Sequence, residues 1–497
     1  MNLNSKKITI FLKNNDKVFL FLLISWIIIL FSINTGFYSV KNLFFKSSEL
    51  NNFFLINLIN SLRWLLPFIV LPILLKLSYK KINYDLFSLN LIFISFFYFI
   101  HLFIFKKNIG IGLTEGPQLD GVLQLLHGPQ FMDTINLLNC YLVTVLILLY
   151  IHQNYKNKIL IFNIIFFSFI CLVSFFIFFQ IIIDLIETEN IFLYYSKAFK
   201  PDTKYFDQPA PRITGWSRLI LIIFMFYFFY NELKKFSKKK YLINIAILFL
   251  LSFLIIFSQS RGSLIGYIFL FLLYLAIPKI NFFKKIIVAI LFIIIPFGSL
   301  SLVDNFKIGK YRNDQNRLKT TLEAIFEFKN NKAQSIENKN LLINDKNNYK
   351  YSVSSGRIEI WIESVKYLIK EKKIFGYGPQ GDRYLLSLLA KSHLESIWGN
   401  NSSNAIIYSS ISGGLIGLIS ILIIYISLFI LFLRCFKKIF IHKSQDLYLI
   451  SSFSIYCYII MRSFFENGFA VFGIDFCVLI TSYYFINSRL SILNKVQ

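Results

Sequence analysis

The sequence predicts an all-α integral membrane protein of about twelve transmembrane helices, with one large outer loop containing amphipathic helices. Three observations carry this. The 497 residues are 56% hydrophobic and only 16% charged, with a mean hydropathy of +0.61, against ~45–50% apolar and ~25% charged in soluble domains. The apolar residues gather in runs near the ~20 residues that a bilayer requires. Every alternate connection between these runs is rich in lysine, as expected for loops on the cytoplasmic side.

Taken in order, the spans start near Val18, Ser61, Leu86, Thr134, Leu160, Ile213, Leu242, Ser263, Ile286, Ala405, Leu447 and Phe469. The first run, about Val18 to Ile33, lacks a small-residue cleavage site and reads as a retained span rather than a signal peptide. The inside loops carry Lys6/Lys7/Lys13/Lys17, Lys80/Lys81, Lys156/Lys158, Lys234 to Lys240, Lys284/Lys285 and Lys437/Lys438/Lys443. This order places both termini in the cytoplasm. Three regions follow: residues 1–303 with spans one to nine, a periplasmic loop over 304–403, and spans ten to twelve over 404–497.

The loop divides in two. Asn313 to Lys350 is polar and low in complexity. Beyond it, Ile358, Trp361, Ile362, Val365, Leu368 and Ile369 recur at helical spacing, and Gly376-Tyr377-Gly378-Pro379 closes the run with turn chemistry. The spacing predicts an amphipathic helix followed by a tight loop. The net charge of +26 sits in short loops between apolar spans, where it contacts anionic lipid headgroups, so nucleic acid is excluded as a partner. The five cysteines lie in or beside spans and offer neither a disulfide framework nor a metal-type CxxC.

Arginine is distributed unevenly. Of eleven arginines, this topology puts only Arg434 and Arg489 inside, whereas 21 of 41 lysines are inside. Topology rules favour basic residues inside, so nine outer arginines need another cause. The planar guanidinium fork grips phosphate oxygens in pairs, which an ammonium cannot do. The distribution points to an outward site for a phosphorylated substrate.

Several outer segments are candidates. In Ser258-Gln259-Ser260-Arg261-Gly262-Ser263, small neighbours let a headgroup approach Arg261; the alternative is an arginine anchoring a helix end. Pro211-Arg212-Ile213-Thr214-Gly215-Trp216-Ser217-Arg218 opens another span, with Arg212 and Arg218 able to engage one diphosphate or merely to anchor the interface. Arg357 and Glu359 begin the loop helix on different faces, and Glu363 reads as a solvated charge. Asn404 either caps the span it precedes or binds ligand, and Gly413, Gly414 and Gly417 read as close-packing positions. Arg462 and Glu466 form an i,i+4 pair in a short turn, and Asp475 is an acid within the last span, where charge is costly. His101, also within a span, reads as a packing histidine.

In their order and topology, the SRG segment, the R-x-T-G segment, the large loop and its ending resemble the O-antigen ligase and O-antigen polymerase superfamily, over roughly Arg212 to Gly417. Family ligases end the loop in His-Asn, nine residues, Gly, two residues and Gly. Asn404, Ala405 to Gly413, Gly414 and Gly417 fit that spacing, and the histidine position holds Ser403.

The resemblance implies a GT-C-like membrane glycosyltransferase in the bacterial inner membrane. The reaction would be an inverting displacement without metal, nucleotide or other cofactor, on a glycan carried by undecaprenyl diphosphate. Arg261 and Arg357 would stabilise the departing diphosphate. Arg212, Arg218, Asn404, Ser403 and Glu359 would contact substrate. Serine is a poor general base, so His393 becomes the substitute, with Glu359 a further candidate, and the balance tilts from ligase to polymerase. Partners would be the lipid-linked glycan, membrane lipid and a chain-length regulator. A lipid-linked oligosaccharide transporter is a further alternative, although a hundred-residue outer loop contributes little to transport.

Overall fold

A computed structural model describes residues 17–33, 65–76, 83–104, 131–155, 157–171, 204–205, 208–209, 213–233, 238–257, 260–278, 280, 282–295, 357–379, 381–382, 385, 402 and 404–495. In hydrocarbon every backbone N–H and C=O must be satisfied within the segment, and helices do this. A helix stands at each of the twelve expected positions. They are α1 (Lys17–Ile33), α2 (Leu65–Lys76), α3 (Leu86–Ile104), α4 (Phe131–Asn154), α5 (Lys158–Cys171), α6 (Ile213–Leu233), α7 (Lys238–Phe257), α8 (Arg261–Ala276) and α9 (Phe282–Ala289). After the loop helix α10 (Arg357–Lys370) come α11 (Ala405–Phe436), α12 (Leu447–Ser463) and α13 (Ile474–Lys495). Among the described residues, α3, α4, α11 and α13 are long and apolar enough to cross a membrane, and other apolar helices are shorter. One small departure from all-α is a pair of two-residue antiparallel strands, Lys204–Tyr205 and Gln208–Pro209.

The core forms where helices pack on both sides. Helix α12 lies against α6 and α13, α13 against α4, and α6 against α7 and α8. The outer helices are two-faced. In α3, Leu86, Leu89, Phe93, Phe96, Ile100 and Phe103 are exposed at alternating three- and four-residue steps, an apolar stripe suited to lipid. Its other face buries Ser88, Asn90, Ser95, Tyr98 and His101. There Asn90 Nδ2 donates to the Ser420 carbonyl at 2.7 Å and Asn90 Oδ1 accepts from Ser420 Oγ at 3.1 Å, tying α3 to α11. His101, the expected packing histidine, is buried beneath the loop turn, where a Cβ on Gly378 would stand 2.8 Å from its Nδ1.

The structure adds to two sequence expectations. The loop helix forms as predicted, with Ile358, Ile362, Val365 and Ile369 exposed and Ile360 and Ser364 buried. An apolar stripe beside a membrane can face lipid instead of protein, and the periodicity is the same for both. The glycines of α11 also do more than pack closely. Gly414 breaks the helix with φ +58° and ψ −139°. The break frees the carbonyls of Ile411 and Ser412, which accept from the Tyr377 and Gly378 N–H groups at 2.8 Å each. The Leu415 N–H returns a bond to the Ile374 carbonyl at 2.8 Å. The Gly-Tyr-Gly-Pro turn is thus docked, backbone to backbone, on a discontinuity in α11.

Candidate functional site

Two polar clusters meet at the end of the bundle where α6, α8, α11 and α13 begin and α12 ends. The first is built on Asp475, in the first turn of α13. It is 3% exposed, and its Oδ2 accepts from Arg462 Nε at 2.9 Å and from Arg218 Nη1 at 3.2 Å. Arg462 comes from the last turn of α12 and Arg218 from the second turn of α6. Two guanidinium groups therefore share one carboxylate oxygen, which leaves one net positive charge. Glu466 adds only a 4.0 Å approach to Arg462 Nη2. The Arg218 side chain keeps 21% exposure, whereas that of Arg462 keeps 9%, so Arg218 is the cation that an arriving anion can reach.

The SRG segment is brought to this cluster by close helix packing. Helix α8 approaches α12 so nearly that a Cβ on Gly266 would lie 2.3 Å from the Tyr458 ring. One turn earlier, a Cβ on Gly262 would stand 3.8 Å from Arg462 Nη1. Ser260 takes the extended conformation of an N-cap, and Arg261 is the first helical residue. Backbone N–H groups at a helix start, together with nearby guanidinium groups, favour an anion.

The second cluster ties the loop end to the turn after α12. Asn404 caps α11: its Oδ1 accepts from the Ile406 and Ile407 N–H groups at 2.8 and 3.1 Å. Its Nδ2 donates to the Phe464 carbonyl at 2.9 Å, and its own N–H donates to Asn467 Oδ1 at 3.2 Å. Asp382, 1% exposed, accepts from the Ser402 N–H at 3.0 Å and from Asn467 Nδ2 at 3.3 Å. Trp361 of α10 donates from Nε1 to the Ser402 carbonyl at 2.7 Å. The turn Phe464–Asn467 therefore joins the clusters, with Arg462 on one side and Asn467 on the other. Beside it, Tyr98, Tyr141, Tyr408 and Pro379 line a cavity that is mainly apolar.

Of the two roles open to Asn404, capping has direct contacts here. Replacing Asn404 with alanine is expected to lower stability by about 1–2 kcal/mol, read as a lower melting temperature in detergent. Asn404→Asp should retain most of it, and equal melting of all three proteins would remove the cap from the account.

The sequence-derived candidates fall as follows. Arg218 is in the first cluster. Arg261, Arg357 and Glu359 have described helical backbones, and their side chains lie outside the described structure. Arg212, Ser403 and His393 lie outside the described residues, as does the stretch Asn313 to Lys350. Glu363 is paired with Lys366 at 2.7 Å on the outside of α10, in keeping with a surface charge. Arg462 and Asp475 belong in the site more firmly than sequence reasoning placed them. The signal was the cost of an acid in a span, which demands a cation; its partners lie 13 and 257 residues away in the chain. Asp382 and Asn467 carried no sequence signal of their own.

A comparison with curated proteins finds no match. The family model described as O-Antigen ligase matches residues 246–422, which run from α7 through the break in α11 and include Arg261, Asn404 and the three α11 glycines. Arg218, Arg462 and Asp475 lie outside that stretch and are joined to it by the contacts above. The matched segment, about a third of this helical chain with apolar spans, is similar to the O-antigen ligase family and supports the resemblance to the O-antigen ligase and polymerase superfamily.

Proposed function

We propose that the protein polymerises surface-polysaccharide repeats carried on undecaprenyl diphosphate at the periplasmic face of the bacterial inner membrane. The observation that supports this most directly is the convergence of Arg218, Arg462 and the SRG helix start around Asp475. In the reaction, a sugar hydroxyl of one repeat attacks the anomeric carbon of another chain. The bond to the lipid diphosphate breaks, and its electron pair leaves with the phosphate oxygen. Charge develops on that oxygen, and preorganised guanidinium donors stabilise it. Arg218 supplies an exposed donor, and Arg261, Arg212 and Arg357 are the further donors. Arg462 and Asp475 hold Arg218 in place. The hydroxyl proton passes to a base, for which His393 and Glu359 are the candidates. A chain-length regulator would act from outside this machinery.

The test uses purified protein in detergent with lipid-diphosphate-linked repeats. Arg218→Lys keeps a cation beside Asp475 but loses the fork, and it is expected to slow transfer about 10²-fold or more with little change in melting temperature. Arg261→Lys should behave alike. Unchanged glycan ladders from both variants would sink the assignment. Transfer in detergent, where no compartments exist, also excludes pure transport.

A ligase that attaches finished chains to a lipid A core is the second reading, favoured by the description of the matched family. Ser403 at the ligase histidine position weighs against it. Cells without a polymerase would retain single repeats on the core, whereas cells without a ligase would have none.

A further inference from the structure

The opposite end of the bundle holds a second polar site, separate from the transfer chemistry. Helix α11 ends there in a π-helical turn, Lys437–Ile441, against which the last turns of α13 lie. A cavity of about 420 Å³ opens between them. Arg434, Lys437, Lys438 and His442 line one side. Asn487, Ser491 and Asn494 of α13 face them with amide and hydroxyl groups.

Among the described residues, no carboxylate lines this cavity. Asp446, at the start of α12, accepts from Arg489 Nε at 2.9 Å and caps the Tyr448 and Leu449 N–H groups. Asp85 accepts from the Tyr483 hydroxyl at 2.7 Å and from the Ser88 N–H at 3.0 Å. Lys438 is 6% exposed and donates to the Leu493 carbonyl at 3.3 Å and to Asn494 Oδ1 at 3.4 Å. A general preference for basic residues at the cytoplasmic end needs only surface charge. A concave site with a buried ammonium group and neutral donors on the facing helix goes further, since these are the elements that surround a phosphate.

We propose that this cavity binds the phosphate-bearing headgroup of an anionic membrane lipid. The choice of a lipid over a soluble anion rests on its rim. Leu433, Phe436 and Ile441 are 49%, 42% and 63% exposed beside the cationic residues. An acyl chain can lie along them while the headgroup enters the cavity.

The experiment measures thermal unfolding of the purified full-length protein in uncharged detergent with added phosphatidylglycerol, phosphatidylcholine or inorganic phosphate. Phosphatidylglycerol is expected to raise the melting temperature, phosphatidylcholine to leave it unchanged, and inorganic phosphate to act only at far higher concentration. In the double variant Arg434→Gln, Lys437→Gln, apparent phosphatidylglycerol affinity should fall at least about tenfold. Lys437→Glu serves as a second variant should the double one fail to fold. Native mass spectrometry should show fewer retained anionic lipids on either. Equal protection of wild type and variants, or equal protection by phosphatidylcholine, would overturn the proposal. Inorganic phosphate as effective as phosphatidylglycerol would overturn the lipid assignment. Binding is the readout throughout, so the outcome is independent of the transfer reaction.

Discussion

Asp475→Asn is expected to destabilise the protein by about 3–5 kcal/mol, the usual range for removing one partner of a buried ion pair. The carboxylate oxygen that receives Arg462 at 2.9 Å and Arg218 at 3.2 Å would become part of a neutral amide. Arg462 is 9% exposed and, among the described residues, would keep only Glu466, 4.0 Å away, as an opposing charge. Two guanidinium groups would then repel each other at the mouth of a helical bundle, where charge without a partner is most costly. The melting temperature in detergent should fall accordingly, and glycan transfer should fall with it as Arg218 loses its anchor. Adding Arg462→Gln to Asp475→Asn removes the stranded charge and should recover part of the melting temperature. A double variant no more stable than the single one would show that the ion pair is not what holds this end together.

Gly414→Ala should have a comparable effect for a different reason. Its backbone, at φ +58° and ψ −139°, lies where side chains are rarely tolerated. A Cβ would stand 2.0 Å from the Ile374 carbonyl oxygen and 2.5 Å from the Gly376 nitrogen. Both are backbone atoms and cannot swing aside. Relief requires undocking the turn, with loss of the three bonds between residues 374–378 and 411–415. Undocking relieves the strain and costs the three hydrogen bonds at ~1 kcal/mol each, a loss on the order of 3 kcal/mol. Limited proteolysis near Lys372 and Lys373 should quicken. Gly413→Ala is the control: its Cβ would meet the Tyr98 hydroxyl at 3.3 Å, a side chain able to give. Matching melting temperatures for the two alanine variants would refute the docked-turn account.

Much of the architecture was legible because membrane helices are written locally. A run of apolar residues must satisfy its own backbone bonds, whatever its neighbours do, so the helix positions follow from hydropathy alone. The lysine-rich loops are equally local. The start of α11 was readable at Asn404, since a cap acts on N–H groups two and three residues ahead. Other features were ambiguous by nature. The stripe Ile358, Ile362, Val365 and Ile369 marks an amphipathic helix, but lipid and protein core are both apolar partners, so the spacing alone does not say which of them it meets. The α11 glycines look alike in sequence; only Gly414 has the turn's carbonyl at the place a Cβ would occupy.

The candidate site divides along the same line. The sequence by itself led to the expectation that arginine gathers in the outer segments, and it showed that an acid sits in the last apolar run and that small residues flank Arg261 in the SRG segment. Each of these needs nothing beyond composition and short-range spacing. Only the tertiary structure decided that Arg218, Arg462 and Asp475 are one unit and that the SRG start lies against it. It also showed that Asp382 and Asn467 tie the loop end to the same turn. Those links join helices far apart in the chain, and pairing across such distances is set by how the helices pack, with α8 drawn onto α12 at Gly266 and the loop turn seated on the break at Gly414.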